Sequence, residues 1–272
     1  VRGISAGDLR WIRVGEEAEV LACRDFYRAA PASLGFRVEP LAGSTLFLAP
    51  RVPVSYFNRA LGFLDGIPLT ETDFDRLIGI FSAAGVSDFW IQLTPNAAPP
   101  ALPGWLAARG FSLAPRASWA KFVRQTSDPP PWRTHLEVRP ALADDAAAIA
   151  RVIGDAYELP AELRPWIASL VGRPDWLFFV ACAEGAAVAT AAVHVQKDTA
   201  WLGFAATDAR YRRLGAHGAL LALRIEAAAK HGCQTVVTET GEPKHDEPNP
   251  SLANIRSAGF VQVCSRLNYR KG

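Results

Sequence analysis

Thr207-Asp208-Ala209-Arg210-Tyr211-Arg212-Arg213-Leu214-Gly215-Ala216-His217-Gly218-Ala219-Leu220-Leu221 joins an apolar strand, residues 201–206, to a long Ala/Leu helix, residues 215–230. The first N–H groups of a helix have no partner inside it and carry the positive end of its dipole. Glycines let an anion approach that backbone, and Arg210, Arg212 and Arg213 add positive charge. The stretch therefore reads either as an anion site suited to a diphosphate or as an ordinary helix start with solvated arginines. GxxxxGK[ST] and GxGxxG are both absent, which argues against a Walker-type nucleotide site and a dinucleotide fold.

Outward from this stretch, the second half alternates strands and helices. Strand 135–139, helix 142–158, helix 161–171, strand 176–182 and strand 187–196 precede it. Strand 234–238, helix 251–258 and strands 260–264 and 266–269 follow. This order predicts an α/β (α+β) layer fold on a mixed sheet. The 272-residue length suits one large domain or two ordinary ones. Pro129-Pro130-Pro131 sits inside neither a helix nor a central strand. It divides the chain into 1–126, a Pro-rich linker at 127–134, and 135–272.

The first half echoes the second. Ser82-Ala83-Ala84-Gly85 before an apolar strand matches Ala229-Lys230-His231-Gly232. Trp105-Leu106-Ala107-Ala108-Arg109-Gly110-Phe111 matches Asn254-Ile255-Arg256-Ser257-Ala258-Gly259-Phe260, and Leu61-Gly62-Phe63 matches Leu202-Gly203-Phe204. Three matches in one order predict a duplicated fold.

Lys and Arg total 29 against 27 Asp and Glu, so no global charge points to nucleic acid or an anionic membrane. No apolar run has the length of a membrane span. Cys23, Cys182, Cys233 and Cys264 are scattered without zinc-ligand spacing, and they read as reduced thiols of a cytoplasmic protein, with one disulfide as the alternative. His245 and Asp246, in a long polar loop, read as solvated rather than metal-binding.

Arg212-Arg213-Leu214-Gly215-Ala216-His217, with its preceding strand and following helix, resembles the acyl-CoA pyrophosphate loop of the GNAT superfamily of N-acetyltransferases. Asn254 to Gly259-Phe260 resembles that family's closing helix and "GF" strand. The resemblance implies two tandem GNAT-like domains, each a mixed central sheet flanked by helices. The N-terminal copy is degenerate, because Leu64-Asp65-Gly66-Ile67-Pro68-Leu69-Thr70 stands where its pyrophosphate loop belongs.

The resemblance further implies transfer of an acetyl group from acetyl-CoA to a primary amine of a small molecule or peptide, without metal. A non-catalytic acyl-CoA-binding or interaction module is the alternative, and a homodimer stays open. The implied cofactor-binding residues are Phe204, Ala205, Ala206 and Thr207 on the strand, and Arg212, Arg213, Leu214, Gly215, Ala216, His217, Gly218 and Ala219 at the loop and helix start. Ser251 and Asn254 join them from the later helix. His217 departs from the family's Gly or Ala. The family's strand acid and its tyrosine before the GF are missing, with Asn254 and Ile255 in the tyrosine's place. Glu239 and His194 are the candidate bases, Tyr157 a candidate acceptor-site residue, and Tyr269 a candidate replacement acid.

Overall fold

The computed structural model describes residues 5, 7–64, 66, 68–243 and 247–271. They form two compact units. One comprises Phe122–Glu239 and Asn249–Val261; the other takes the described residues of 5–121, 240–248 and 262–271. The division departs from the linker-based boundaries: residues 122–134 go with the second half, while the described residues of 240–248 and 262–271 go with the N-terminal residues. The last strand of the chain lies with the N-terminal residues, not with the second half that precedes it.

The N-terminal unit contains α1 (Leu9–Arg28), β1 (Arg37–Leu41), β2 (Ser44–Leu48), β3 (Arg59–Leu61), α2 (Glu71–Ala83), β4 (Trp90–Leu93), α3 (Leu102–Ala108), most of β5 (Phe111–Gln125) and almost all of the final strand, Val261–Lys271. A capping box starts α2: Asp73 N–H donates to Thr70 Oγ1 at 3.1 Å, and Thr70 N–H donates to Asp73 Oδ2 at 3.0 Å. The apolar face of α2 buries Phe74, Leu77 and Phe81 against Leu46, Ile91, Leu102 and Leu106.

A polar cluster is buried in the same unit. Arg266 donates from Nη1 to Glu16 Oε2 at 3.0 Å and to Glu19 Oε2 at 2.5 Å, and from Nη2 to Glu19 Oε1 at 3.1 Å. Arg59 Nη1 reaches Glu19 Oε1 at 3.2 Å, and Lys121 donates to the same carboxylate. Gly62 N–H donates to Glu16 Oε1 at 3.2 Å. Glu16 and Glu19 fall three residues apart among the apolar positions of α1, so one helix face delivers both.

The C-terminal unit contains the end of β5, β6 (Glu137–Pro140), α4 (Ala146–Ala156), α5 (Arg164–Ala168), β7 (Trp176–Ala183), β8 (Ala186–Gln196), β9 (Thr199–Thr207), α6 (Ala216–Lys230), β10 (Thr235–Gly241, to Glu239) and α7 (Pro250–Ser257). Its strand order is β5-β10-β9-β8-β7-β6. The β7–β8 hairpin turns on Glu184 and Gly185, at φ +50° and +78°, the left-handed pair that a tight primed turn requires. β9 and β10 run parallel, and their paired register ends at Leu202 and Thr238. β9 itself runs on to Thr207. In the N-terminal unit β3 and β4 form the matching parallel pair, in register at Arg59–Trp90 and Ala60–Ile91.

The helices are shorter than their periodicity predicts. Ala143–Asp145 is a 3-10 turn whose Asp145 accepts from Leu142 N–H at 2.7 Å, and Ala161–Leu163 is another, leading into α5 with Pro165 in its first turn. The two expected final strands are one, β11 (Val261–Lys271). Ser265, read as the break, stays extended while its hydroxyl donates to Glu242 Oε1 at 2.7 Å. All four cysteines are buried, and none is in a disulfide. No helix among the described residues is long and apolar enough to cross a membrane.

Candidate active site

Immediately after its last pair with β10, β9 bulges. Its register with β8 passes from Ala192–Gly203 to Thr190–Ala206, so Phe204 and Ala205 stand opposite the single Ala191. Phe204 takes the left-handed conformation, φ +51°. A bulge of this kind re-aims backbone and side chains out of the regular ladder. Gly203 is fixed by packing: a Cβ there would lie 1.9 Å from the Trp201 ring, so any side chain displaces the indole. Trp201 Nε1 in turn reaches Glu239 Oε2 at 3.4 Å.

Tyr157, at the C-terminal end of α4, donates its hydroxyl hydrogen to Ala205 O at 2.9 Å. Burial of that hydroxyl pushes its pKa up to about 12; Arg224 opposes the shift and Glu239 adds to it. The phenol is therefore a hydrogen-bond donor at neutral pH. Tyr157 and Glu239 thus come to the same stretch of β9. His194 stands on β8, directly opposite Trp201. Its ring lies 4.8 Å from that of Trp176, and Gln196 Nε2 lies 3.0 Å from its Nδ1. That is a buried, hydrogen-bonded strand histidine in an aromatic cluster completed by Trp201 and Phe204. Tyr269 belongs to β11, in register with Ile91 in the N-terminal unit.

The loop after β9 sorts its arginines. Asp208 accepts from Arg210 Nε and Nη2 at 3.2 and 2.7 Å, so the guanidinium holds that carboxyl down at about 2 and Arg210 is neutralised. Arg212 and Arg213 are exposed and have no ion pair among the described residues. A cleft of about 300 Å3 opens beside them, lined by Arg151, Asp155, Thr207, Asp208, Arg210 and Arg212.

Gly215 precedes α6 at φ +82°, and no side chain caps the helix. The N–H groups of Ala216, His217 and Gly218 are left without intrahelical partners. The glycine is needed for a reason the sequence does not show. A Cβ there would lie 2.2 Å from Arg133 O, and Thr134 Oγ1 donates to Leu214 O at 2.6 Å. The backbone after the prolines packs on the loop.

α7 reaches the same helix start. Asn249 Oδ1 accepts from Leu252 N–H at 2.9 Å, which places Ser251 in the first turn of α7. Asn254 Nδ2 donates to His217 Nδ1 at 2.9 Å, leaving the His217 proton on Nε2. Burial, and secondarily Arg224, pushes His217 down from 6.5 to about 4. The imidazole is neutral, so it adds no charge at this helix start.

Its pKa has a stability consequence. The unfolded chain takes up the proton near pH 6.5, but the folded chain resists until about pH 4. The stability from keeping His217 neutral is whole above pH 6.5 and is lost as pH falls toward 4. Between pH 7 and 4.5, wild type should lose about 1–3 kcal/mol that a His217→Gln variant does not lose. Urea titrations at several pH values measure the difference; parallel pH profiles would refute it.

Sequence reasoning missed Arg224 and Trp201. The signal for Arg224 was an arginine inside the apolar run Leu220-Leu221-Ala222-Leu223-Arg224-Ile225. His245 and Asp246 lie outside the described residues, as do Asp65 and Ile67. Among the described residues no group of three or more His, Cys, Asp or Glu is arranged to hold a metal.

Residues 141–247 match the family model described as the Acetyltransferase (GNAT) family. A GCN5-related N-acetyltransferase from Kribbella flavida is similar in structure, at TM-score 0.69 and 17% identity, over 98% of this chain and 96% of that one. A tandem GNAT protein from the clavulanic acid biosynthesis pathway is similar at TM-score 0.64 and 15% identity, over 98% and 96%. A GCN5-related N-acetyltransferase from Sphaerobacter thermophilus is similar at 0.63 and 17%, over 98% and 91%. No curated protein matches the sequence. At these identities the neighbours speak for the fold, which is that of tandem GNAT proteins, and the match to the GNAT family model is confined to residues 141–247.

Proposed function

We propose that the chain is an acyltransferase whose C-terminal unit moves an acetyl group from acetyl-CoA to a primary amine of a small molecule or peptide. One observation carries the reading: β9 leaves β10 at Leu202, bulges at Phe204, and runs into an uncapped helix start flanked by two unpaired arginines. The stretch 203–207, past the last β10 pair, suits the amides of a pantetheine arm, as a peptide adds to a strand edge. The N–H groups of Ala216, His217 and Gly218, with Arg212 and Arg213, suit a diphosphate. Asn254 reaches this end through His217, and Ser251 stands in the same helix.

Acetyl-CoA supplies an activated thioester. A bulge N–H is placed to donate to its carbonyl oxygen as negative charge grows there. Attack by the amine forms the C–N bond and breaks the C–S bond. Glu239 takes the proton the amine loses, and the departing thiolate is protonated by solvent. Tyr157 borders the acceptor side and holds the Ala205 carbonyl. In the N-terminal unit the Gly62 N–H, at the position matching Gly203, donates instead to Glu16.

Titration calorimetry tests the reading. Wild type should bind acetyl-CoA at micromolar concentration. A double Arg212→Glu, Arg213→Glu variant, altered only at exposed side chains, should bind at least about tenfold more weakly, or about 1.4 kcal/mol. No binding by wild type would leave the interaction-module reading. The Arg133 carbonyl beside Gly215 and the neutral His217 are the features that favour that second reading.

A further inference from the structure

Arg224 is 1% exposed in the middle of α6. Its Nε donates to Leu220 O at 3.1 Å, and its Nη1 lies 3.4 Å from both Ala192 O and Gly203 O. Among the described residues no carboxylate pairs with it, whereas in the N-terminal unit the buried Arg59 pairs with Glu19 and the buried Arg266 with both Glu16 and Glu19. Burial pushes its pKa down to about 10, so it remains a cation at neutral pH. A desolvated charge with only backbone acceptors at long range is costly, and an apolar residue of similar volume would usually serve stability as well or better. Its position is informative. Both carbonyls it approaches stand at the point where β9 begins to bulge.

The peptide geometry gives this contact a direction. Leu202 O faces β10, where it accepts from Thr238 Oγ1 at 2.9 Å. One residue on, Gly203 O turns to the β8 side, beside Ala192 O. The peptide unit is planar and trans, so its C=O and N–H point in opposite directions. The guanidinium that holds Gly203 O therefore turns the Phe204 N–H away from itself, toward the β10 side of β9, past the last pair of that ladder. A cation on the carbonyl oxygen also withdraws electron density from the amide and strengthens its N–H as a donor.

We propose that Arg224 is a positioning residue for acyl transfer, holding and polarising the Gly203–Phe204 peptide so that the Phe204 N–H meets the oxyanion formed on the thioester carbonyl. The proposal rests on the acyltransferase reading above. It separates activity from stability. Arg224→Met should unfold at the same urea concentration as wild type or a higher one. Its kcat should fall about ten- to a hundredfold, with KM for acetyl-CoA within about threefold. Arg224→Lys should recover part of kcat.

The Phe204 amide proton resonance should shift upfield in Arg224→Met in the absence of any substrate. An unmoved amide, or an undiminished kcat, would overturn the proposal, and so would parallel losses of stability and kcat. If wild type acetylates no amine, the acyltransferase reading fails at that control, and the amide shift still decides whether Arg224 polarises the peptide.

Discussion

Glu19→Ala should destabilise the N-terminal unit by about 3–5 kcal/mol, the cost of removing one partner from a buried ion cluster. The Glu19 side chain is fully buried, and Arg266, Lys121 and Arg59 all bond to it. Removing it takes a carboxylate from three buried cations, of which Arg266 still has Glu16. Burial by itself would raise the Glu19 pKa, but those cations outweigh it and hold the carboxyl far below its usual 4.5. A depressed carboxyl stabilises the fold fully above its unfolded pKa, and the contribution fades as pH drops below about 4.5. Above pH 5 the penalty should be constant. Urea titration with circular dichroism reads it as an earlier transition for the N-terminal unit, and two units need not melt as one. Glu19→Gln keeps the shape and should lose less. A shift below about 1 kcal/mol for Glu19→Ala would show that the cluster relaxes around the missing charge.

This cluster also marks where sequence reading stops. Its members come from α1, β3, β5 and β11, which share no local pattern. Each looks alone like a solvated residue, and only strand pairing over the whole length of the chain brings Arg266 to Glu19. The same limit hid the placement of β11. Its apolar alternation is local and readable, but its partner β4 lies 176 residues earlier in the sequence. Local grammar did carry the helix–Gly–strand units. Helix–Gly–strand repeats at Gly85 and Gly232 correspond to the ends of α2 and α6, and Gly110 and Gly259 follow α3 and α7.

At the site, the uncapped helix start was legible because glycine and arginine advertise it. The bulge was not, because Phe204 is an apolar residue in an apolar strand and its positive φ arises from packing. Gly215 was legible as a glycine, but its requirement includes the close approach of Arg133 O. Spacing along one chain cannot reveal that contact.

Glu239→Gln should lower kcat about 10²–10⁴-fold if Glu239 is the general base. An alkylamine with a pKa near 10.4 is only about one part in two thousand neutral at pH 7, so the base must capture a proton the amine holds tightly. Glu239 stands one residue past the last β10–β9 pair, with its carboxylate at the Trp201 indole and within electrostatic reach of Tyr157. Glutamine still offers an oxygen to the indole N–H, so stability and acetyl-CoA affinity should stay near wild type. The pH profile then separates two explanations of any lost rate. Without a base, the variant depends on amine already neutral in solution, and its rate should climb about tenfold per pH unit toward the amine pKa. Wild type should climb less steeply over the same range. A variant that keeps wild-type kcat and a wild-type profile would remove Glu239 from the chemistry, because an amine that reacts equally well without the carboxylate never gave its proton to it.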